Sequence, residues 1–148
     1  MKYIFLLIIV TLLLSGCNAK YKDISNDKKY SKVIEKTFEI QVPTKLYELT
    51  KTSTPLDSLD FYSLMINGSL GGPEVIGKHE LNIKSKIKII QVMYCTNCFS
   101  EYIELRIEVF SKQLKKEIPI SLSTHISTVL SNDKQYVLMN PIYFKEIK

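Results

Sequence analysis

The stretch KSKIKIIQVMYCTNCFSEYIELRIEVF, residues 84–110, contains the clearest strand patterns of the chain. Two such patterns are separated in it by a short polar segment. In the second half, apolar residues at every second position from Ile103 to Val109 alternate with charged residues. This period of two is typical of a strand that buries one face. The first half alternates lysine with serine or isoleucine and then becomes apolar at successive positions, as in a strand that ends covered on both faces of a curled sheet. Together the two halves predict an antiparallel hairpin.

The pairing of the two strands follows from these patterns. If the isoleucines of the first strand share a face with those of the second, the numbers of paired residues must have an even sum. A sum of 196 places Lys88 opposite Glu108 and Tyr94 opposite Tyr102, with residues 96–100 as the loop. Both pairs are favourable cross-strand neighbours.

The rest of the chain carries weaker strand patterns, which together predict an antiparallel all-β domain of six or seven strands. Lys45–Lys51 is predicted to pair with the strand that precedes it, Phe38–Val42. Ile142 and Phe144 are the predicted buried residues of the C-terminal tail. Ser25 or Asp27 is expected to cap a short helical turn that buries Tyr30, Val33 and Ile34. The further predicted strands are Phe38–Val42, Lys45–Lys51, Phe61–Ile66, Ile118–Leu122 and Tyr136–Met139.

The run from Leu81 to Ile89 resembles the entry of bacterial SH3-like barrels, in which a leucine and a turn precede an alternating strand. The resemblance extends over residues 76–122. It implies an all-β fold, a small antiparallel and partly closed SH3-like barrel, here with one short N-terminal helical turn. It carries no catalytic residue with it.

The N-terminus has the layout of an export signal. Lys2 precedes an apolar run from Ile4 to Leu14, shorter than the roughly 20 residues of a membrane-spanning helix. The run ends in Leu14-Ser15-Gly16-Cys17, which matches a lipobox, and the segment resembles the signal peptides of bacterial lipoproteins. The resemblance implies that residues 1–16 are removed and that Cys17 is the acylated first residue, anchored in membrane lipid.

A lipoprotein of this kind has three parts. We expect a signal peptide at 1–16, a lipidated cysteine and tether at 17–36, and one all-β domain at 37–148. In Gram-negative lipoproteins an aspartate after the cysteine commonly marks inner-membrane retention, so Asn18 favours the outer membrane of the cell envelope if the source is Gram-negative. The motifs that also resemble small proteobacterial lipoproteins of unassigned activity are Tyr21-Lys22-Asp23-Ile24-Ser25, Tyr30 and Phe38.

Cys95 and Cys98 are the remaining cysteines if Cys17 is lipidated. In an exported protein, two cysteines three positions apart in a turn predict a local disulfide. A thioredoxin-like redox motif is the alternative, although few residues follow Cys98. A metal site would need ligands beyond the pair, and His79 and His125 lie at no suitable spacing. We therefore expect no metal, no cofactor and no catalytic residue.

The distribution of charge limits the kinds of molecule that the domain is expected to bind. The net charge of +5 is spread along the chain, which suits a domain near anionic lipid or a cell-wall polymer, and export removes nucleic acid as a partner. The expected solvated strand face consists of Glu101, Glu104 and Glu108, and the expected solubilising basic cluster of Lys112, Lys115 and Lys116.

The expected function is that of a membrane-anchored envelope lipoprotein, not an enzyme, acting as a binding or structural module for a wall polymer or an envelope protein. One alternative is an immunity or exclusion lipoprotein that blocks a partner protein. The other is a thiol-disulfide oxidoreductase that uses the Cys95 and Cys98 pair.

Overall fold

The computed structural model describes residues 19–51, 59–98, 100, 102–111, 114 and 118–147. This part of the chain is mostly strand, which confirms the prediction of an all-β chain. Its two short helices are a 3-10 helix, Lys28–Tyr30, and α1, Thr124–Ser127. The strands are β1 Tyr21–Asp23, β2 Thr37–Ile40, β3 Thr44–Leu49, β4 Phe61–Ile66, β5 Val75–Leu81, β6 Lys86–Cys95, β7 Tyr102–Val109, β8 Ile120–Ser123, β9 Thr128–Leu130, β10 Val137–Met139 and β11 Phe144–Ile147.

Nine of these strands form one sheet in the order β11-β2-β6-β7-β8-β4-β3-β5, with β1 paired to the far end of β6. Strands β9 and β10 form a separate antiparallel hairpin. The sheet is open, because its two ends, β11 and β5, do not pair within the described residues. Strands β4 and β8 run parallel. The prediction of a partly closed, purely antiparallel barrel is therefore wrong in two respects, because the sheet is open and because one pair of strands is parallel. The parallel pair joins strands that are distant along the chain.

The central hairpin confirms half of the predicted register. Lys88 lies opposite Glu108 as expected. The pairing then shifts by one residue at a β-bulge around Ile90, so Tyr94 faces Ile103 instead of Tyr102. A bulge inserts one unpaired residue into a strand. Because successive residues of β6 are apolar here, the alternation of the sequence contains no sign of the extra residue.

Strand β3 pairs with β4 and β5, not with β2 as predicted. The reason is that both edges of β2 are already occupied, one by β11 and the other by β6. Strand β5 was not among the predicted strands. The connection between β2 and β3 therefore carries the chain from one half of the sheet to the other.

The core lies on one face of the sheet, which we call the inner face. Paired leucines from four adjacent strands form one continuous buried row across it. Its members, in the order β3, β4, β8 and β7, are Leu46, Leu64, Leu122 and Leu105. Apolar burial of this kind stabilises the fold by about 25 cal/mol for each Å² removed from water.

The N-terminal turn forms as predicted. The Asp27 side chain accepts a hydrogen bond of 2.9 Å from the backbone N–H of Lys29, and Tyr30 and Val33 are buried in the core. At the other terminus, Phe144 is buried, but Ile142 is 67 % exposed. The prediction that Ile142 packs into the core is therefore wrong, because it lies in the turn before β11.

The folded domain begins earlier than position 37. Strand β1 pairs with the end of β6, and Tyr30 and Val33 belong to the core. The segment from Tyr21 to Val33, predicted as part of the 17–36 tether, therefore contributes to the folded domain. Residues 1–18, with the predicted lipidation site Cys17, lie outside the described residues.

Candidate functional site

The Cys95 and Cys98 pair lies at the tip of the β6–β7 hairpin. Its two sulfur atoms are at disulfide distance, and the Cα atoms are 5.6 Å apart. The tip also holds the start of the domain, because Thr96 N–H donates to the Lys20 carbonyl at 2.8 Å and Lys20 N–H donates to Asn97 Oδ1 at 2.5 Å. These two bonds, together with the pairing of β1 with β6, hold the N-terminal segment against the hairpin tip.

The surroundings of the pair differ from those of a thioredoxin-like motif. Such a motif follows a strand and opens a helix, whereas Cys95 ends β6 and the next described element is the antiparallel strand β7. The described residues between 86 and 111 contain no helix. The geometry that would support the oxidoreductase alternative is thus missing from this part of the chain.

An open groove of about 760 Å³ lies on the outer face of the sheet, beside the bulge in β6. The bulge leaves both Ile90 and Gln91 exposed, because the extra residue interrupts the alternation of faces. Ile90 is 40 % exposed, and Phe110 across the groove is 56 % exposed. The remaining apolar lining includes Met93, Leu114, Ile118 and Pro119. These side chains bring several apolar groups to one concave surface.

Part of the groove lining is polar. Arg106 belongs to this part, and its guanidinium contacts the carboxylate of Glu104 on one side. On the other side, the guanidinium carbon lies 5.9 Å from the centre of the Tyr21 ring. Arg106 is thereby held between an anion and an aromatic face, two groups that bind guanidinium ions. The groove therefore combines apolar walls with the Arg106 cation, and its lining also includes the Glu108 carboxylate and the polar side chains of Gln91 and Ser111.

Glu104 is the buried partner in this cluster. Only 4 % of the residue is exposed, and its Oε1 has no hydrogen-bond partner among the described residues, although Arg106 contacts that atom. Burial raises the pKa of Glu104, and the charge of Arg106 opposes this shift. The pKa of Tyr102 is raised by burial and, to a smaller extent, by the carboxylate of Glu104. The prediction that Glu104 lies on a solvated face is wrong, whereas Glu108 is exposed as expected.

A histidine–carboxylate pair was missed in the sequence. His79 Nε2 lies 2.8 Å from Glu48 Oε1, joining β5 to β3 across 31 positions of sequence. Gly77 makes room for it, because a Cβ atom there would collide with the Glu48 carboxylate. A cavity of about 350 Å³ adjoins His79. His79 is thus paired with a carboxylate, while His125 is exposed at the start of α1. No local signal in the sequence links positions 48 and 79.

Lys112, Lys115 and Lys116, the predicted basic cluster, lie outside the described residues, as does Glu101. The described residues contain no group of three or more His, Cys, Asp or Glu side chains able to hold a metal ion.

Among the described residues, no helical segment has the length and apolar character that crossing a bilayer requires. No protein-family model, curated protein or solved structure matches the chain.

Proposed function

We propose that the chain is a membrane-anchored envelope lipoprotein whose β domain binds another molecule through the groove, without catalysing a reaction. The observation that carries this proposal is the exposure of large apolar side chains around one concave site, with Phe110 56 % and Ile90 40 % exposed. A ligand that covers them removes apolar surface from water, which favours binding. Sites of several hundred Å³ with mostly apolar walls and a few polar groups are typical binding sites.

The ligand that fits best is an apolar segment of an envelope protein. A cell-wall polymer is rich in hydroxyl and amide groups, which would lose hydrogen bonds against the apolar walls of the groove. Arg106 contributes charged donors to the lining and Glu108 a carboxylate, so the bound segment should place an acceptor, such as a carboxylate or a backbone carbonyl, beside Arg106. An immunity or exclusion lipoprotein would be a special case of this binding function.

The anchor belongs to the same proposal. Lipidation of Cys17 would leave Asn18 and Ala19 between the acylated residue and Lys20, whose backbone is bonded to the hairpin tip. So short a link would keep that tip close to the membrane surface. Durable anchoring is expected because one acyl chain alone holds a protein only marginally, whereas two or three hold it firmly.

Mass spectrometry of the N-terminal peptide from the membrane fraction tests the anchor. We expect a chain that begins at Cys17 with a mass increase corresponding to its acyl chains, and a Cys17→Ser chain that is released from membranes. An unmodified Cys17, or a mature chain that begins elsewhere, would refute the anchor and leave the groove hypothesis standing.

Copurification tests the groove. The full-length chain is isolated from solubilised envelopes together with its bound proteins, and Ile90→Glu is compared with Ile142→Glu. Both variants place a carboxylate at an exposed isoleucine, but only Ile90 lines the groove. We expect Ile90→Glu alone to lose a specific bound protein. Equal retention by both variants, with unchanged melting temperatures, would argue against the groove as the binding site.

A further inference from the structure

Strand β5 is one end of the sheet and pairs only with β3 within the described residues. An end strand presents unpaired backbone N–H and C=O groups, which can pair with another strand. Ile76, Lys78 and Glu80 of β5 are exposed. The side chains on one face of β5 are therefore open to solvent, and His79 and Glu80 line a cavity together with residues 109–111.

The hydrogen bonds of β3 show which groups of β5 face outward. Thr50 N–H donates to the Glu74 carbonyl at 3.0 Å, whereas the Leu49 carbonyl accepts a bond from Asp60 on the β4 side. Because the direction of backbone groups alternates along a strand, the even-numbered residues of β3 face β5. The β5 residues opposite them are Gly77, His79 and Leu81.

It follows that the backbone groups of Lys78 and Glu80 face away from β3, toward the open edge. We propose that β5 pairs antiparallel with β5 of a second copy of this chain, about a two-fold axis that passes through His79. In this register Lys78 exchanges backbone hydrogen bonds with Glu80 of the second copy, and Glu80 with its Lys78. The outward-facing backbone groups of Lys78 and Glu80 thus each meet a partner.

The side chains agree with this register. Residues directly opposite in an antiparallel pair lie on the same face, so each Lys78 faces a Glu80 across the new pair. The dimer therefore contains two opposite-charge pairs related by symmetry. Since the two-fold axis is perpendicular to the sheet, both inner faces lie on the same side and the sheet continues through the interface.

The strand at the other end of the sheet, β11, does not place opposite charges against each other in the two registers considered next. In β11, Gln41 N–H donates to the Tyr143 carbonyl at 2.8 Å, so the backbone of Phe144 and of Glu146 faces the open edge. Antiparallel self-pairing there about Lys145 places lysine against lysine, and self-pairing about Glu146 places glutamate against glutamate. Like charges directly opposite each other are destabilising, so β11 discourages the contact that β5 favours.

Cysteine cross-linking of the full chain in membranes tests the proposal. His79→Cys places two thiols across the axis at a non-hydrogen-bonded pair, where Cβ atoms are closest, and Lys145→Cys on β11 is the matched control. We expect mild oxidation to yield a covalent dimer with His79→Cys and little with Lys145→Cys. Lys78→Glu or Glu80→Lys in the His79→Cys chain should lower the yield about tenfold, because both symmetric pairs become repulsive. The double reversal Lys78→Glu with Glu80→Lys should restore it.

A second measurement avoids the His79 substitution, which removes the partner of Glu48. Sedimentation velocity of the detergent-solubilised chain with His79 intact should show a dimer that either single charge reversal weakens and the double reversal restores. A yield from His79→Cys no greater than from Lys145→Cys, or a double reversal that fails to restore the dimer in a folded chain, would overturn the proposal. The proposal does not rest on the function of the groove, although the cavity beside His79 shares Val109, Phe110, Ser111 and Leu114 with the lining of the groove.

Discussion

At the scale of single residues, the outer-face carboxylate of Glu104 shows why an alternating pattern does not determine burial. The pattern correctly places Glu104 on the face opposite Leu105, which is in the core. That face is nevertheless covered here, because Arg106 of the same strand contacts the carboxylate and Tyr21 of β1 lies near the pair. The covering strand comes from about 80 positions earlier in the chain, so the local pattern of β7 cannot show it.

The buried state of Glu104 predicts a change of stability with pH. Its pKa is raised in the folded chain, so the folded state holds this proton more tightly than the unfolded state. The stability that Glu104 contributes is present at low pH and is lost as the pH rises through its raised pKa. We therefore expect Glu104→Gln to become more stable relative to the unsubstituted chain over that rise. Urea unfolding at a series of pH values measures this, with the exposed Glu108→Gln as control.

The contact between His79 and Glu48 predicts that a larger residue at Gly77 lowers the stability of the fold. A methyl group at Gly77 would collide with the Glu48 carboxylate, which must then move away from His79. We expect Gly77→Ala to destabilise the fold by about 1 kcal/mol, since the flexible carboxylate can yield. Gly71→Ala is the control, because a Cβ atom there meets nothing within 4 Å. A cost for Gly77→Ala that persists in a Glu48→Ala background would contradict this explanation.

At the scale of elements, the strands with clear alternation were predictable and their neighbours were not. The alternation in β7 and in the first half of β6 correctly predicts the hairpin and the pairing of Lys88 with Glu108. The bulge at Ile90 falls where β6 is apolar at successive positions, so a shift by one residue leaves the pattern unchanged. Strand β3 illustrates the same limit, because its neighbours β4 and β5 are set by packing and not by local pattern.

The disulfide at the hairpin tip should stabilise the fold modestly. It closes a loop of only 3 positions, so it removes little entropy from the unfolded chain. We expect the double variant Cys95→Ala with Cys98→Ala to remain folded and to lose about 2 kcal/mol or less. Thermal unfolding under oxidising and reducing conditions measures the loss. A chain that fails to fold without the cysteine pair would contradict this expectation. It would show that the contacts of Lys20 with the hairpin tip depend on the disulfide.

At the scale of the whole molecule, the all-β class was predictable and the open, mixed sheet was not. The parallel pair of β4 with β8 brings together strands more than 50 positions apart, which no local pattern encodes. The N-terminal segment shows a related limit. Its polar, lysine-rich composition is typical of a tether, yet a few apolar residues within it, among them Tyr30 and Val33, place it in the core.

This placement predicts that the N-terminal segment is needed for stability. Tyr30 is buried in the core, so Tyr30→Ala should destabilise the domain by about 3 kcal/mol. Lys28→Ala, an exposed position in the same 3-10 helix, should change stability by less than about 0.5 kcal/mol. Denaturant unfolding of the two variants measures the difference. Equal stability of both would mean that the domain begins after this helix.

We propose that the groove beside Ile90 is where the domain binds its partner. A photoactivatable amino acid at Phe110, compared with the same amino acid at the more exposed Ile142, tests it in growing cells. The groove hypothesis predicts one dominant cross-linked protein from position 110, lost when Ile90→Glu is added, and none from position 142. Cross-linking that is equal at both positions, or absent at position 110 in a folded and membrane-bound chain, would contradict it.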